Sequence, residues 1–173
     1  MADLAVILLV DDDDNDLFLL RRSFAKANVL NPIQLARSGE DAIAYLSGEG
    51  KCCDRSQYPV PGLVLIDLKM RGKDGFEVLG WIRKQSGFLA LPVVVLSGNE
   101  DAHLRTRAYQ LGASAFLVKP NDLQHSVEMS QALADKWLAA KDTPALKTGQ
   151  SHGETQQFIR EVLGKRAGGQ SAD

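Results

Sequence analysis

Hydrophobic residues in this chain form five short runs, and between the runs they recur every three or four positions. The runs predict strands over residues 4–10, 32–37, 63–67, 92–96 and 115–118. The intervening stretches predict helices over about 15–27, 38–46, 76–84, 101–111 and 122–140. Near-continuous apolar strands that alternate with helices are typical of parallel sheets. The pattern therefore predicts an α/β fold, a doubly wound five-stranded parallel sheet with helices on both faces.

Two segments fall outside this alternation. The connection over residues 47–62 has ~15 residues, which is long for a compact domain. Disorder and partner contact are the two interpretations, and of these we expect a flexible loop at the amino end of the third strand. Turn-forming residues after position 140 predict a linker, and an apolar stripe predicts a short helix over about 152–164. We expect one domain over residues 1–140, followed by a linker and tail over 141–173 that is too short for an output domain.

Composition limits the classes of function. The chain has 173 residues, 45% of them hydrophobic and 24% charged, with a net charge of -2, which is typical of a soluble globular protein. The 20 Lys and Arg residues are scattered, so we expect no direct nucleic-acid binding. The apolar run over residues 5–10 is too short to span a membrane, and Asp3 argues against a signal peptide. We expect a cytoplasmic protein in which the adjacent Cys52 and Cys53 are free thiols.

Polar residues follow the predicted strands where the strands end. Residues 11–14 are four aspartates directly after the first strand, and Asp67 ends the third. Ser97 and Lys119 end the fourth and fifth strands. Because the carboxyl ends of parallel strands meet at one edge of the sheet, we expect these side chains to lie together. Clustered carboxylates need a cation, and an oxygen site beside a phosphate suits Mg2+.

This set of residues is suited to phosphoryl chemistry. Lysine can bind a phosphoryl oxygen as a point charge, and a serine hydroxyl can donate a hydrogen bond to another. One aspartate is then available as a nucleophile, since carboxylate attack on phosphorus gives an acyl phosphate. Positioning and charge neutralisation would supply most of the catalysis.

Four motifs in order carry a family resemblance. They are residues 7–12 (ILLVDD), residues 65–70 (LIDLKM) with Asp74-Gly75, residues 95–98 (VLSG) and residues 116–120 (FLVKP). Over residues 1 to about 140 the chain resembles the receiver domain of bacterial two-component response regulators. The resemblance implies a flavodoxin-like receiver fold with strand order 2-1-3-4-5. One departure is Arg71, which stands where many receivers have proline.

The resemblance implies a phosphoacceptor and a metal site. Asp67 would accept a phosphoryl group from a histidine kinase. Asp12, Asp67 and the backbone carbonyl of Lys69 would bind Mg2+, and Asp11 would hold a metal-bound water. Residues 13–14 then lie outside the site, and we interpret them, with Asp16, as charges at the N-terminus of the first helix.

The resemblance also implies a switch. Ser97 would bond the phosphoryl group and move toward it, and Lys119 would contact the phosphate. Phe116 would occupy the aromatic switch position, although a core aromatic is the alternative interpretation. The Lys119–Pro120 bond would be cis, as in the family.

Within that family the chain is most similar to stand-alone regulators of bacteriophytochrome-type histidine kinases. The resemblance rests on the long connection before the third strand and on residues 80–84 and 91–97. It implies output by protein contact and dimerisation through helix four, strand five and helix five. The protein would be no enzyme, with at most slow autodephosphorylation.

Two other classes of function stay open. An aspartyl-nucleophile phosphohydrolase typically carries D-x-D on the first strand, and the adjacent pair Asp11-Asp12 does not fit that spacing. A receiver fold that only binds partners, without phosphotransfer, is the other alternative. The intact set of Asp12, Asp67, Ser97 and Lys119 argues against it.

Overall fold

The computed structural model describes residues 4–139, which contain a five-stranded parallel sheet in the order β2-β1-β3-β4-β5. The strands are β1 (Val6–Val10), β2 (Ile33–Ala36), β3 (Pro61–Asp67), β4 (Val93–Ser97) and β5 (Ala115–Val118). The helices are α1 (Asp14–Lys26), α2 (Gly39–Ser47), α3 (Gly75–Lys84), α4 (Ala102–Gln110) and α5 (Leu123–Trp137). The predicted fold class and strand order are confirmed.

The sheet is buried on both faces. Successive side chains of a strand point to opposite faces, so Leu8 and Val10 pack with α2, α3 and α4, whereas Ile7 and Leu9 pack with α1 and α5. All residues of β1 and β4 are buried, as continuous apolar runs predict. Full burial of one such aliphatic side chain contributes about 1.5–3 kcal/mol. The two layers of helices thereby fix the strands and the positions of their ends.

Side chains at the helix starts determine where the helices begin. Before each helix, one side chain accepts hydrogen bonds from the free backbone N–H groups of the first turn. These residues are Asp13, Ser38, Asp74, Asp101 and Asp122. Because all five follow a strand end or the loop after it, the capped ends of the helices lie toward the carboxyl edge of the sheet.

The connection between α2 and β3 is not the flexible loop that its length predicts. Arg55 donates to the carbonyl oxygens of Tyr45 (2.8 Å), Leu46 (2.7 Å) and Tyr58 (3.2 Å). Two of these carbonyls belong to the last turn of α2, where Tyr45 also accepts the Gly48 N–H at 3.2 Å. Gly48 ends α2 with φ of 71°, and a Cβ there would lie 2.8 Å from the Arg55 guanidinium. Arg55 therefore ties the connection to the helix.

A short 3-10 helix, Gly50–Cys53, lies in the same connection. Cys52 is buried and Cys53 is exposed, and both are free thiols, as predicted.

The predicted linker and tail over 141–173, with the helix over about 152–164, lie outside the described residues. The last described helix ends at Trp137, slightly before the predicted residue 140. Within residues 4–139, no helix combines the length and the apolar composition that crossing a membrane requires.

Candidate functional site

Three carboxylates lie together at the carboxyl ends of β1 and β3. Asp11 and Asp12 directly follow β1, and Asp67 is the last residue of β3. One oxygen from each lies within 4.8 Å of the others. The two strands are paired neighbours, which makes their ends adjacent. We call this group the carboxylate site, and its oxygens suit a hard cation such as Mg2+.

Lys119 lies among the carboxylates. Its Nζ is 2.8 Å from Asp11 Oδ2, 2.6 Å from Asp16 Oδ2 and 2.9 Å from Asp67 Oδ1. The backbone N–H of Lys119 donates to the carbonyl oxygen of Ser97 at 2.7 Å, which fixes the end of β5 against β4. Burial opposes the charge of the ammonium, but hydrogen bonds to the three carboxylates outweigh it and raise the pKa of Lys119. The lysine is therefore firmly protonated.

Asp67 is nearly buried, with 8% of its side chain exposed. Burial raises the pKa of Asp67, and the negative charge of Asp11 acts in the same direction. Hydrogen bonding and attraction to Lys119 oppose that shift, as does a hydrogen bond from the backbone N–H of Lys69, but the net direction is upward. Asp67 is thus a poorly solvated carboxylate that pairs with the Lys119 ammonium and accepts the Lys69 N–H.

Asp12 is the most exposed of the three carboxylates. Its Oδ2 accepts a hydrogen bond from the backbone N–H of Arg71 at 3.0 Å, and this bond lowers the pKa of Asp12. The Arg71 side chain is 92% exposed and its Nε lies 3.4 Å from the same oxygen. The loop after β3, where Lys69 also lies, therefore closes over Asp12.

Gly75 brings the start of α3 against Asp67. A Cβ at Gly75 would lie 2.5 Å from the carbonyl oxygen of Asp67, so no larger residue fits without a shift. The Gly75 N–H donates to the carbonyl oxygen of Leu68 at 3.1 Å. This close approach explains the glycine of the Asp74-Gly75 motif.

Ser97 is buried at the end of β4, and its hydroxyl is bonded to Asn99 in the loop that follows. It donates to the carbonyl oxygen of Asn99 at 2.9 Å, with the Asn99 Oδ1 at 3.3 Å. The N-cap of α4 is Asp101, so Ser97 does not cap that helix. A bond from Ser97 to a group on Asp67 would require the hydroxyl to leave Asn99.

Phe116 is buried in β5, 2% exposed. The Arg105 guanidinium lies over its ring at 5.6 Å from the centroid, and the Tyr109 hydroxyl accepts a hydrogen bond from the Phe116 N–H. Arg105 also forms an ion pair of 2.6 Å with Glu100, in the loop after β4. Phe116 is a core aromatic in this structure, with contacts that reach the loop after Ser97.

Three further aspartates lie at the start of α1, and one of them contacts Lys119. Asp13 caps α1, and Asp14 forms an exposed ion pair with Arg37. Asp16 was predicted to be only a helix charge, but its carboxylate also binds Lys119. The prediction missed this contact because sequence gives no measure of the distance between α1 and the end of β5. The available signal was a carboxylate in the first turn of a helix that directly follows the first strand.

The prediction of a cis bond between Lys119 and Pro120 is wrong. No peptide bond in residues 4–139 is cis. The trans isomer is the more stable form of an X–Pro bond by about 0.5–1 kcal/mol, and most such bonds in folded proteins adopt it.

The chain is similar in sequence and in structure to known proteins. The family model "Response regulator receiver domain" matches residues 7–131. The response regulator Rcp1 of Synechocystis sp. is 31% identical over 140 residues, which cover 81% of this chain and 93% of Rcp1. Rcp1 has also been solved in an Mn2+-bound form, with a TM-score of 0.70, 30% identity and coverage of 82% of this chain and 99% of that one.

Two further solved structures are phytochrome regulators. The phosphorylated cyanobacterial phytochrome response regulator RcpA has a TM-score of 0.73 and 29% identity, covering 82% of this chain and 99% of its own. The bacteriophytochrome response regulator AtBRR has a TM-score of 0.66 and 31% identity, covering 86% and 100%. The predicted likeness to regulators of bacteriophytochrome-type kinases is confirmed. The chain belongs to the receiver domains of two-component response regulators, which are signalling proteins rather than conventional enzymes.

Proposed function

We propose that the protein is a phosphorylation-dependent switch in which Asp67 accepts a phosphoryl group from a sensor histidine kinase. The observation that carries this proposal is the convergence of Asp11, Asp12, Asp67 and Lys119 at one edge of the sheet. In the transfer, a carboxylate oxygen of Asp67 bonds to phosphorus while the bond from phosphorus to the kinase imidazole nitrogen breaks. The electron pair of that bond stays on the nitrogen.

Burial prepares Asp67 for this role. Water competes weakly at a carboxylate that is 8% exposed, and its raised pKa reflects the cost of its charge. Conversion to an acyl phosphate moves the negative charge outward onto phosphoryl oxygens, within reach of Lys119. The raised pKa of Lys119 keeps it protonated, so it then contacts the new group as a point charge.

The donor set fits Mg2+, with Asp12, Asp67 and the Lys69 carbonyl as ligands and Asp11 holding a metal-bound water. When bound, the ion would neutralise charge on the carboxylates and on the incoming phosphoryl group. Asp11 is already oriented, because one oxygen accepts the N–H of Asp13 at 3.0 Å and the other binds Lys119.

Ser97 and Phe116 transmit the change. The Ser97 hydroxyl leaves Asn99 and donates to the phosphoryl group, which draws the loop after β4 inward. Phe116 responds through the Arg105 and Glu100 contacts to that loop. Output follows by protein contact on the surface of α4, β5 and α5, where a homodimer also forms.

The remaining parts of the proposal concern context. The receiver domain spans residues 1–140, with residues 141–173 as linker and tail. The partner is a histidine kinase of the bacteriophytochrome type, an assignment supported by the likeness to AtBRR and RcpA. The protein acts in the cytoplasm without direct contact to nucleic acid or membrane, and its own activity is at most slow loss of the phosphoryl group.

Acetyl phosphate with Mg2+ tests the central step. We expect the wild type to gain one phosphoryl group by intact mass, and Asp67→Asn to gain none. Asp14→Asn is the matched control, since it removes an exposed carboxylate outside the carboxylate site and should be labelled like the wild type. A label that persists in Asp67→Asn would overturn the assignment. Sustained turnover of phosphate esters would instead support a phosphohydrolase.

A further inference from the structure

Asp16 is a carboxylate that contacts Lys119 without belonging to the carboxylate site. It is the third residue of α1, and its Oδ2 lies 2.6 Å from the Nζ of Lys119. Its side chain is 38% exposed, against 3% for Asp11 and 8% for Asp67. Among the described residues, the carboxylates close enough to share an ion are Asp11, Asp12 and Asp67, so Asp16 lies outside that group.

The three partners of Lys119 therefore differ in whether a metal ion in the carboxylate site also binds them. An ammonium group has three N–H donors, and here it has one partner for each: Asp11, Asp16 and Asp67. A divalent cation in the carboxylate site competes with Lys119 for Asp11 and Asp67. It does not take the oxygen of Asp16. Asp16 is thus the partner that Lys119 keeps when the others bind a metal ion.

We infer that Asp16 is a positioning residue that retains Lys119 at the edge of the site while a divalent cation occupies Asp11, Asp12 and Asp67. The inference rests on the proposed function, which it deepens by assigning a place to the lysine before the phosphoryl group arrives. Asp16 touches neither the metal nor the phosphoryl group and acts through Lys119 alone.

Electrostatics gives the direction of the effect. Without a metal ion, the charge of Lys119 is shared among three carboxylates, and its attraction to Asp16 is one of three. When a cation neutralises the other two, the pair with Asp16 becomes the main attraction on the lysine. The Asp16–Lys119 pair therefore strengthens on metal binding, and by linkage it raises the affinity for the metal.

Isothermal titration calorimetry of the full chain with Mg2+ alone measures this linkage. We expect Asp16→Asn to weaken Mg2+ binding by about threefold to fivefold, the size of a partly exposed ion pair. Asp16→Glu keeps the charge and should restore most of the affinity. Circular dichroism melts of each variant show that it is folded.

Asp14→Asn is the matched control, since it removes one negative charge two positions earlier on α1 and pairs with Arg37 rather than Lys119. We expect it to weaken Mg2+ binding by less than about twofold, through long-range charge alone. If Asp16→Asn has no larger effect than Asp14→Asn, Asp16 does not position the lysine.

A variant without Lys119 separates the effect of the Asp16–Lys119 contact from the effect of the Asp16 charge itself. In Lys119→Met, Asp16→Asn should change Mg2+ affinity no more than Asp14→Asn does, because the lysine that Asp16 would hold is gone. An equal effect of Asp16→Asn with and without Lys119 would overturn the inference.

The same measurements distinguish this inference from the proposed function. If the wild type binds Mg2+ but is not labelled by acetyl phosphate, phosphotransfer is refuted. The positioning role of Asp16 is then still decided by the Mg2+ affinities of the variants. A wild type that binds no Mg2+ refutes both. A labelled wild type whose Asp16→Asn variant matches the control refutes the positioning role alone.

Discussion

Lys119 and Arg55 are two cations with three oxygen partners each, at opposite ends of the same sheet. Lys119 binds three carboxylates at the carboxyl edge. Arg55 donates to three backbone carbonyls at the amino edge, where α2 ends. The number of contacts is the same, but the acceptors differ in charge and in what else can bind them.

Carboxylates can exchange one cation for another, whereas backbone carbonyls carry no net charge that would attract a second cation. A metal ion or a phosphoryl group changes the balance of charge around Lys119, and the lysine can shift among its acceptors. The guanidinium of Arg55 is planar and holds a fixed arrangement of donors. The carboxyl edge is thus suited to switching and the amino edge to rigidity, and four experiments test this contrast.

The largest effect is expected at the rigid end. Arg55→Ala should lower the free energy of unfolding by about 3 kcal/mol, because three charge-assisted hydrogen bonds are lost, two of them to carbonyls in the last turn of α2. Urea unfolding followed by circular dichroism measures it. Lys51→Ala, an exposed change in the same connection, should stay within about 0.5 kcal/mol of the wild type. A loss of equal size in both variants would mean that Arg55 is not the tie.

Magnesium should stabilise the protein through the carboxylate site, independently of Arg55. At a concentration of Mg2+ one hundred times its Kd, the free energy of unfolding should rise by about 2.7 kcal/mol, since the folded state alone binds the ion. Arg55→Ala should gain as much as the wild type. Asp67→Asn, which removes one carboxylate ligand, should gain much less in the same urea titration. Equal gains in wild type and Asp67→Asn would place the ion elsewhere.

The cost of burying Asp67 should appear in the dependence of stability on pH. Its folded-state pKa is raised by burial above the ordinary 3.8, so the folded state holds the proton more tightly than the unfolded state does. Stability attributable to Asp67 is therefore present below 3.8 and falls as pH rises through the interval up to the raised pKa.

Without Mg2+, Asp67→Asn should accordingly be more stable than the wild type at pH 7 by about 1 kcal/mol, on the usual scale of single substitutions. The gap should close as the pH falls below 3.8, which thermal melts across the pH range will show. A variant less stable than the wild type at pH 7 would mean that attraction to Lys119 outweighs burial.

The smallest effect is expected at Arg71. Its side chain is 92% exposed, and its Nε is 3.4 Å from Asp12, so it competes weakly with a metal ion. Arg71→Ala keeps the backbone N–H that binds Asp12 and should raise Mg2+ affinity by less than about twofold. Arg71→Lys keeps the charge and serves as the control in the same calorimetric titration. A tenfold gain in Arg71→Ala would show that the guanidinium occupies the metal site.

The carboxylate site was largely predictable from the chain. Asp11, Asp12 and Asp67 follow strands whose apolar patterns are plain, and parallel strands end at one edge. The same argument places Lys119 there. Strand pairing then converts a position along the sequence into a position in space, without knowledge of side-chain packing.

Contacts between elements were not predictable in this way. The pair Asp16–Lys119 depends on how α1 packs beside the end of β5, which is far away along the chain. The hydrogen bond from Ser97 to Asn99 depends on one side-chain rotamer. Arg55 lies in a long connection without periodicity, so no pattern predicts which carbonyls it meets.

The sequence by itself determined the alternation of strands and helices and the residues at the strand ends, because hydrophobic periodicity is a local property of the chain. Only the tertiary structure decided that Lys119 has a third carboxylate outside the carboxylate site and that Arg55 orders the long connection. The physical reason is that both contacts join elements whose separation is set by packing across the whole fold, which no local pattern records.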